Sequence, residues 1–230
     1  MASGKLFIGT RRYSSWSLRG WLAVHLAGLD VEDVTIPLVG SGPGSTAAIK
    51  EHSPSGLVPY LEHDGLRVWE TLAICEYCAE KQPALWPATL AARTHARVIS
   101  AEMHAGFRGL RQAMTMVLGR DAVGLGRTPE ALADIARIET LWRETRGLYG
   151  AGGPFLFGAT FGAADAMYAP VVCRFLTYQP ELAADTRAYC DAVRAHRLME
   201  RWYLLSAQEP LEWRIPHYEN AGFSEGTPAE

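Results

Sequence analysis

The chain has 230 residues, more than one average domain and less than two on a prior of about 150 residues per domain. With 48% of its residues apolar and 20% charged, it has the material for a core that buries roughly 70% of the unfolded surface, which excludes disorder for most of its length. Its 22 Lys and Arg against 25 Asp and Glu give a formal charge of -3, without the basic excess that a phosphate-binding surface needs, so no nucleic acid partner is expected.

No run approaches the roughly 20 apolar residues of a membrane span, and the apolar run after Lys5 is too short for a secretory signal. A cytoplasmic protein with no membrane partner is expected. Four cysteines are too few for a disulfide framework, and Cys75, Cys78 and Cys190 fall in segments that read as helix, so free thiols in a reducing compartment are expected.

The first third alternates in period. Residues 5–9 (KLFIG) read as a buried strand, residues 16–27 as a helix, and residues 31–38 as a second strand ended by a glycine-rich loop. A short, weak helix is predicted at 45–51. Residues 57–62 and 66–69 flank His63-Asp64-Gly65, a hairpin signal, and helical periodicity resumes over 70–82 until Pro83. The order is β-α-β-α-β-β-α. Beyond Trp86-Pro87 the chain turns Ala- and Arg-rich with no strand signal, which sets a boundary between residues 1–83 and 88–230. In 89–118 the residues Ile99, Met103, Phe107, Leu110, Met114 and Val117 step by three or four, one apolar stripe over five turns. Further helices are predicted from Thr128-Pro129 to about 149, over 162–178, 182–195 and 197–207, and the tail 219–230 should fray.

Three segments of the first third can carry chemistry. In Tyr13-Ser14-Ser15-Trp16-Ser17-Leu18-Arg19 a serine either simply caps the helix or, beside free backbone N–H groups, helps to hold an anion. Pro59 either opens a strand or follows a cis bond that would turn the Val58 N–H and C=O toward an extended peptide. Glu70 and Thr71 either cap a helix or pair a carboxylate with a hydroxyl to grip an amino-acid head group. The three functional readings describe one peptide site: an anion site for a thiolate, a backbone rail and a clamp.

That arrangement resembles the glutathione transferases. The run Ser14-Ser15-Trp16-Ser17-Leu18-Arg19 is similar to the Ser-Ser-x-x-x-Arg motif of the zeta-type and related bacterial serine enzymes, and the resemblance covers nearly the whole chain. It implies a thioredoxin-like α/β domain (βαβαββα) over 1–83 that binds glutathione, and an all-helical domain over 88–230 that contributes the acceptor pocket. Phe161-Gly162-Ala163-Ala164-Asp165 resembles the family's buried capping box, with Gly162 where Ser or Thr usually stands, so only half of the box can form. The resemblance also implies roles. The sulfur of glutathione falls to Ser14, with Ser15 and Ser17 left open; Val58 beside Pro59 takes the cysteinyl part, and Glu70 with Thr71 the γ-glutamyl end. The thiolate, stabilised by the serine and the helix N-terminus, attacks a small electrophile. This leads to conjugation, peroxide reduction or maleyl-type cis-trans isomerisation. Glutathione as co-substrate and a homodimer follow from the same resemblance, while the spacing of the histidines leads to the expectation of no metal. Tyr13, Trp16, His104, Arg108 and Arg111 are candidates for the acceptor pocket, the last three alternatively a solvated or dimer-facing strip.

Two other readings compete. Cys75-Glu76-Tyr77-Cys78 has the C-x-x-C spacing of a dithiol, but inside a helix rather than opening the one after the first strand, where buried thiols behave as small apolar groups. The seven histidines show no metal-binding spacing. From a different class, the chain could be a non-catalytic glutathione-fold module that binds or regulates a partner.

Overall fold

The computed structural model describes residues 3–39 and 46–220. The chain begins β1 (Gly4–Gly9), α1 (Ser15–Leu26), β2 (Val31–Ile36), α2 (Ala47–His52), β3 (Tyr60–His63), β4 (Leu66–Trp69) and α3 (Thr71–Lys81), the order expected of a thioredoxin-like unit. β1 is central in a sheet of order β2-β1-β3-β4, parallel to β2 and antiparallel to β3. A strand with neighbours on both sides and layers on both faces has no solvent side, which is why Leu6, Phe7 and Ile8 are all buried. β4 is the edge, and Leu66, Arg67 and Trp69 on it are exposed. The hairpin turns on Asp64 and Gly65, both at positive φ (51° and 76°), as a two-residue turn matched to strand twist requires.

α1 is buried almost all round, and Leu18, Trp21, Leu22, Ala23 and Val24 are all within the core. Gly20 permits this: a Cβ there would lie 2.7 Å from Cγ of Pro59, so only glycine lets the helix approach the start of β3 so closely. All described elements after Lys81 are helical: α4 (Leu90–Ala105), α5 (Arg108–Ala113), α6 (Pro129–Tyr149), α7 (Ala163–Tyr178), α8 (Ala184–Arg194), α9 (Arg197–Ala207) and α10 (Pro216–Glu219), with 3-10 turns at Pro83–Leu85 and Leu211–Trp213.

The stripe over 89–118 is core, but it is not one helix. Phe107 takes a left-handed φ of 58° and separates α4 from α5, although Ile99, Met103, Phe107, Leu110, Met114 and Val117 are all buried. The break is satisfied locally. Asp134 of α6 accepts the Leu110 N–H at 2.9 Å, and Arg111 Nη1 donates at 3.3 Å to the carbonyls of His104 and Gly106 that the end of α4 leaves unpaired. The tail expectation also needs correction at its start, because Glu219 is bonded to Arg12; residues 221–230 lie outside the described residues.

At the start of α7 the half capping box forms. Asp165 Oδ2 accepts the Gly162 N–H at 3.0 Å, while Oδ1 accepts Leu156 N–H at 3.0 Å and the Tyr189 hydroxyl at 2.9 Å. A Cβ at position 162 would sit 2.9 Å from the Leu85 carbonyl oxygen, which accounts for glycine in place of Ser or Thr. Burial pushes the Asp165 carboxyl up to about 6 against these three donors. Asp165→Ala strands all three in the core and is expected to lower stability by about 3 kcal/mol. A urea titration showing a loss below about 1 kcal/mol would refute that role.

Candidate active site

The turn from β1 into α1 ends on Ser14, whose Oγ caps the helix by accepting the Ser17 N–H at 3.3 Å. The same hydroxyl donates to Ser17 Oγ at 2.7 Å, and Ser17 Oγ accepts the Gly9 N–H at 2.9 Å. Ser17 is wholly buried behind Ser14. Ser14 and Ser15 face a cavity of about 440 Å³, a volume in the range of small-molecule sites.

The opposite wall is Val58-Pro59, joined by a cis peptide bond. Neither the N–H nor the C=O of Val58 is bonded among the described residues, so both remain for an added strand. Glu70 and Thr71 close a third side. Glu70 occupies the N-cap position of α3 at φ 69°, yet its side chain makes no cap bond; Oε2 lies instead 3.7 Å from His104 Nε2 across the cavity. A non-glycine residue at such φ costs about 1–3 kcal/mol and persists where its surroundings impose it.

Tyr13, Trp16, His104 and Arg111 line the same cavity, but Arg108 does not. Arg108 opens α5 directly after the break at Phe107 and is exposed. Sequence reasoning missed Arg174 of α7, together with Thr115, Met116, Ile215 and Tyr218, which also line the cavity. A lone arginine inside the apolar run Val171-Val172-Cys173-Arg174-Phe175 was the signal for the first. The others lie in short segments with no period to read.

Two arginines of the lining, Arg111 and Arg174, stand against one carboxylate, Glu70. Trp16 is sandwiched between guanidinium groups, Arg19 at 4.6 Å and Arg111 at 4.5 Å from its ring centre. Arg19 donates to the carbonyls of Met167 and Ser15, and Arg174 to those of Met114 and Pro170. Among the described residues no carboxylate pairs with Arg19, Arg111 or Arg174. Burial pulls the Arg174 guanidinium down to about 10, with Arg111 adding repulsion, and lowers Arg19 and Arg111 as well. His104 is lowered first by burial, with Arg19 and Arg111 adding to it and Glu70 opposing.

Residues 13–81 match the N-terminal domain family of glutathione S-transferases. A probable maleylacetoacetate isomerase of Caenorhabditis elegans is 30% identical over 148 residues, 62% of this chain and 67% of that protein. The chain belongs to the glutathione S-transferase family. A maleylacetoacetate isomerase of Mus musculus is 33% identical over 114 residues, 48% of this chain and 53% of its own. Among solved structures, a glutathione transferase homolog from Burkholderia with bound glutathione superposes with a TM-score of 0.68 at 20% identity, covering 90% of this chain and 99% of that one. Family membership makes this protein an enzyme of the glutathione transferase and isomerase kind.

The cysteines stand apart from the site. All four are buried and unpaired, and none lines the cavity. Burial raises every one of these thiols, Cys78 to about 12 and Cys173 to about 11. That is the opposite of a redox-active pair, which needs a lowered thiol. A water-soluble disulfide reagent is expected to label none of the four in the folded protein and all four in denaturant. Rapid labelling of Cys75 or Cys78 in the native state would restore the dithiol reading.

Proposed function

We propose that the cavity binds glutathione along Val58, with the γ-glutamyl end at Glu70 and Thr71 and the sulfur at Ser14, and that it acts on a small acidic acceptor held by Arg111 and Arg174. The observation that carries the acceptor class is the set of cavity arginines without carboxylates. Buried cations lacking counter-ions are costly, and a substrate carboxylate would offset that cost. Residues 1–83 supply the glutathione side and residues 88–230 the acceptor side.

The thiol loses its proton to water, and the resulting thiolate lies against the positive end of α1. Ser14 turns its hydroxyl from Ser17 Oγ to the sulfur. Ser17 then donates its own proton to Ser14 Oγ while still accepting from Gly9, so a fully bonded pair supports the donor. With a maleyl-type acceptor the sulfur adds to one carbon of the cis double bond, the new single bond rotates, and the sulfur leaves with its electron pair to restore the double bond as trans. No atom is gained or lost. The names of the two relatives favour this isomerisation over conjugation.

Assembly as a cytoplasmic homodimer belongs to the same proposal. Leu66, Trp69, Leu90 and Val98 are exposed apolar side chains on β4 and α4 that a second copy would cover, and a monomeric mass in solution would count against it. None of the described helices is long and apolar enough to cross a membrane.

Ser14→Ala is expected to lower kcat about 100-fold and to raise the pKa of bound glutathione, read from the ultraviolet absorbance of the thiolate. Unchanged turnover would remove Ser14 from the sulfur. Arg174→Met is expected to raise KM about tenfold or more for maleate-type acceptors while leaving an uncharged acceptor nearly unaffected. An equal loss for both would show that Arg174 supports packing rather than recognition. Absence of any heat or thermal shift with millimolar glutathione would instead favour the non-catalytic module.

A further inference from the structure

The last described elements, the turn at Leu211–Trp213 and α10, are too short to stand alone. The catalytic turn holds them. Glu219 accepts Arg12 Nε at 2.7 Å and Nη2 at 2.9 Å, a two-pronged pair, and accepts a further bond from the Tyr13 hydroxyl. The Tyr13 oxygen in turn accepts the Ile215 N–H at 3.1 Å. Arg214 lies 3.5 Å from Glu219, and Arg120 Nη1 donates to the Tyr218 carbonyl at 3.0 Å. The Arg12 bonds hold the Glu219 carboxyl down at about 2, so the pair is ionised throughout the neutral range.

This segment returns two side chains to the cavity, Ile215 and Tyr218. They pack in a small cluster of their own with Tyr13 and Val117, separate from the main core. Arg12 and Tyr13, which hold the segment, immediately precede Ser14 in the chain.

We propose that residues 214–219 are a specificity-determining strap across the acceptor side of the cavity, and that Glu219 is the positioning residue that latches this strap to the turn carrying Ser14. The proposal rests on reading the cavity as a glutathione site. A wall packed on so small a cluster depends for its rigidity on the bonds at its end, so the Glu219 carboxylate sets the size of group that fits beside the sulfur. Val58, Glu70 and Thr71, which carry the peptide part of glutathione, have no bond to Glu219 or Arg12.

The test compares the wild type with Glu219→Gln, which keeps the shape and removes the charge, and with Arg12→Gln, which removes the two-pronged cation from a residue that does not line the cavity. Amide hydrogen exchange over residues 210–220 is expected to speed up about tenfold in both variants. Calorimetry uses S-methylglutathione and S-(naphthylmethyl)glutathione, identical except at sulfur. In the variants the naphthylmethyl compound is expected to gain about fivefold in affinity relative to the methyl compound, whose own Kd stays within about twofold. Unchanged exchange overturns the latch. Faster exchange with an unchanged or reversed affinity ratio overturns the role in acceptor size, and weakening of both compounds alike marks Glu219 as merely structural. Failure of the wild type to bind S-methylglutathione overturns the glutathione reading itself, and the strap's role in specificity with it.

Discussion

The loop at residues 10–14 has to satisfy backbone groups that neither the sheet before it nor the helix after it can use. Buried N–H and C=O groups must find partners, and here they find them across the whole chain. Thr10 O accepts Tyr13 N–H and Ser14 N–H, Glu209 at the end of α9 takes the N–H groups of Arg11 and Arg12 at 2.7 and 3.3 Å, and Arg12 O accepts from Leu118 at 3.0 Å. The Thr10 hydroxyl accepts the Leu38 N–H at 3.0 Å. Each of these segments is far from the loop in sequence. The position of Ser14 is therefore set by the whole fold rather than by the helix it caps.

The same loop explains how charge is distributed. A buried carboxylate such as Glu209 is pushed up by desolvation and needs a cation close by, which Arg11 supplies while also lying near Asp33. Asp33 is shared further, with Trp21 Nε1 at 2.6 Å and His25 Nε2 at 3.1 Å, and those donors hold it low although burial alone would raise it. Neither of these carboxylates lines the cavity. The arginines around Trp16 have only carbonyls and a ring as partners. A formal charge of -3 argued against a polyanionic partner, and it was silent about a local excess of the opposite sign.

Where period and turn chemistry agree, the fold was legible in the chain itself. The run KLFIG, the Asp64-Gly65 hairpin, Thr128-Pro129 opening α6 and the residues of α9 all read directly, because each signal is local. The break at Phe107 was not legible, because apolar residues keep stepping by three or four across it while the axis turns, and what licenses the turn is Asp134, which lies 24 residues beyond the Leu110 whose N–H it accepts. Arg108 follows that break directly and does not line the cavity. On the site, Ser14, Val58 and Glu70 could be picked out because their backbone roles have residue signatures, a cap, a proline and a helix start. Arg174 and Tyr218 have none, since their place depends on how α7 and the tail pack. The choice among three serines was likewise tertiary: Ser17 is removed from the cavity by the Gly9 N–H that it accepts.

One helix joins these separate facts. α7 carries Asp165, which gathers donors from Leu156, Gly162 and Tyr189 at its start, and Arg174, which reaches the cavity near its end. Between them the Met167 carbonyl accepts Arg19 Nε at 2.7 Å, so that α1 is bonded to α7 one turn beyond Ser14. Core packing leaves α7 buried on nearly every face and gives it little freedom to shift. The buried cap at one end of α7 thereby fixes the height of Arg174 relative to Ser14, so the spacing of these two lining residues is set by how α7 packs.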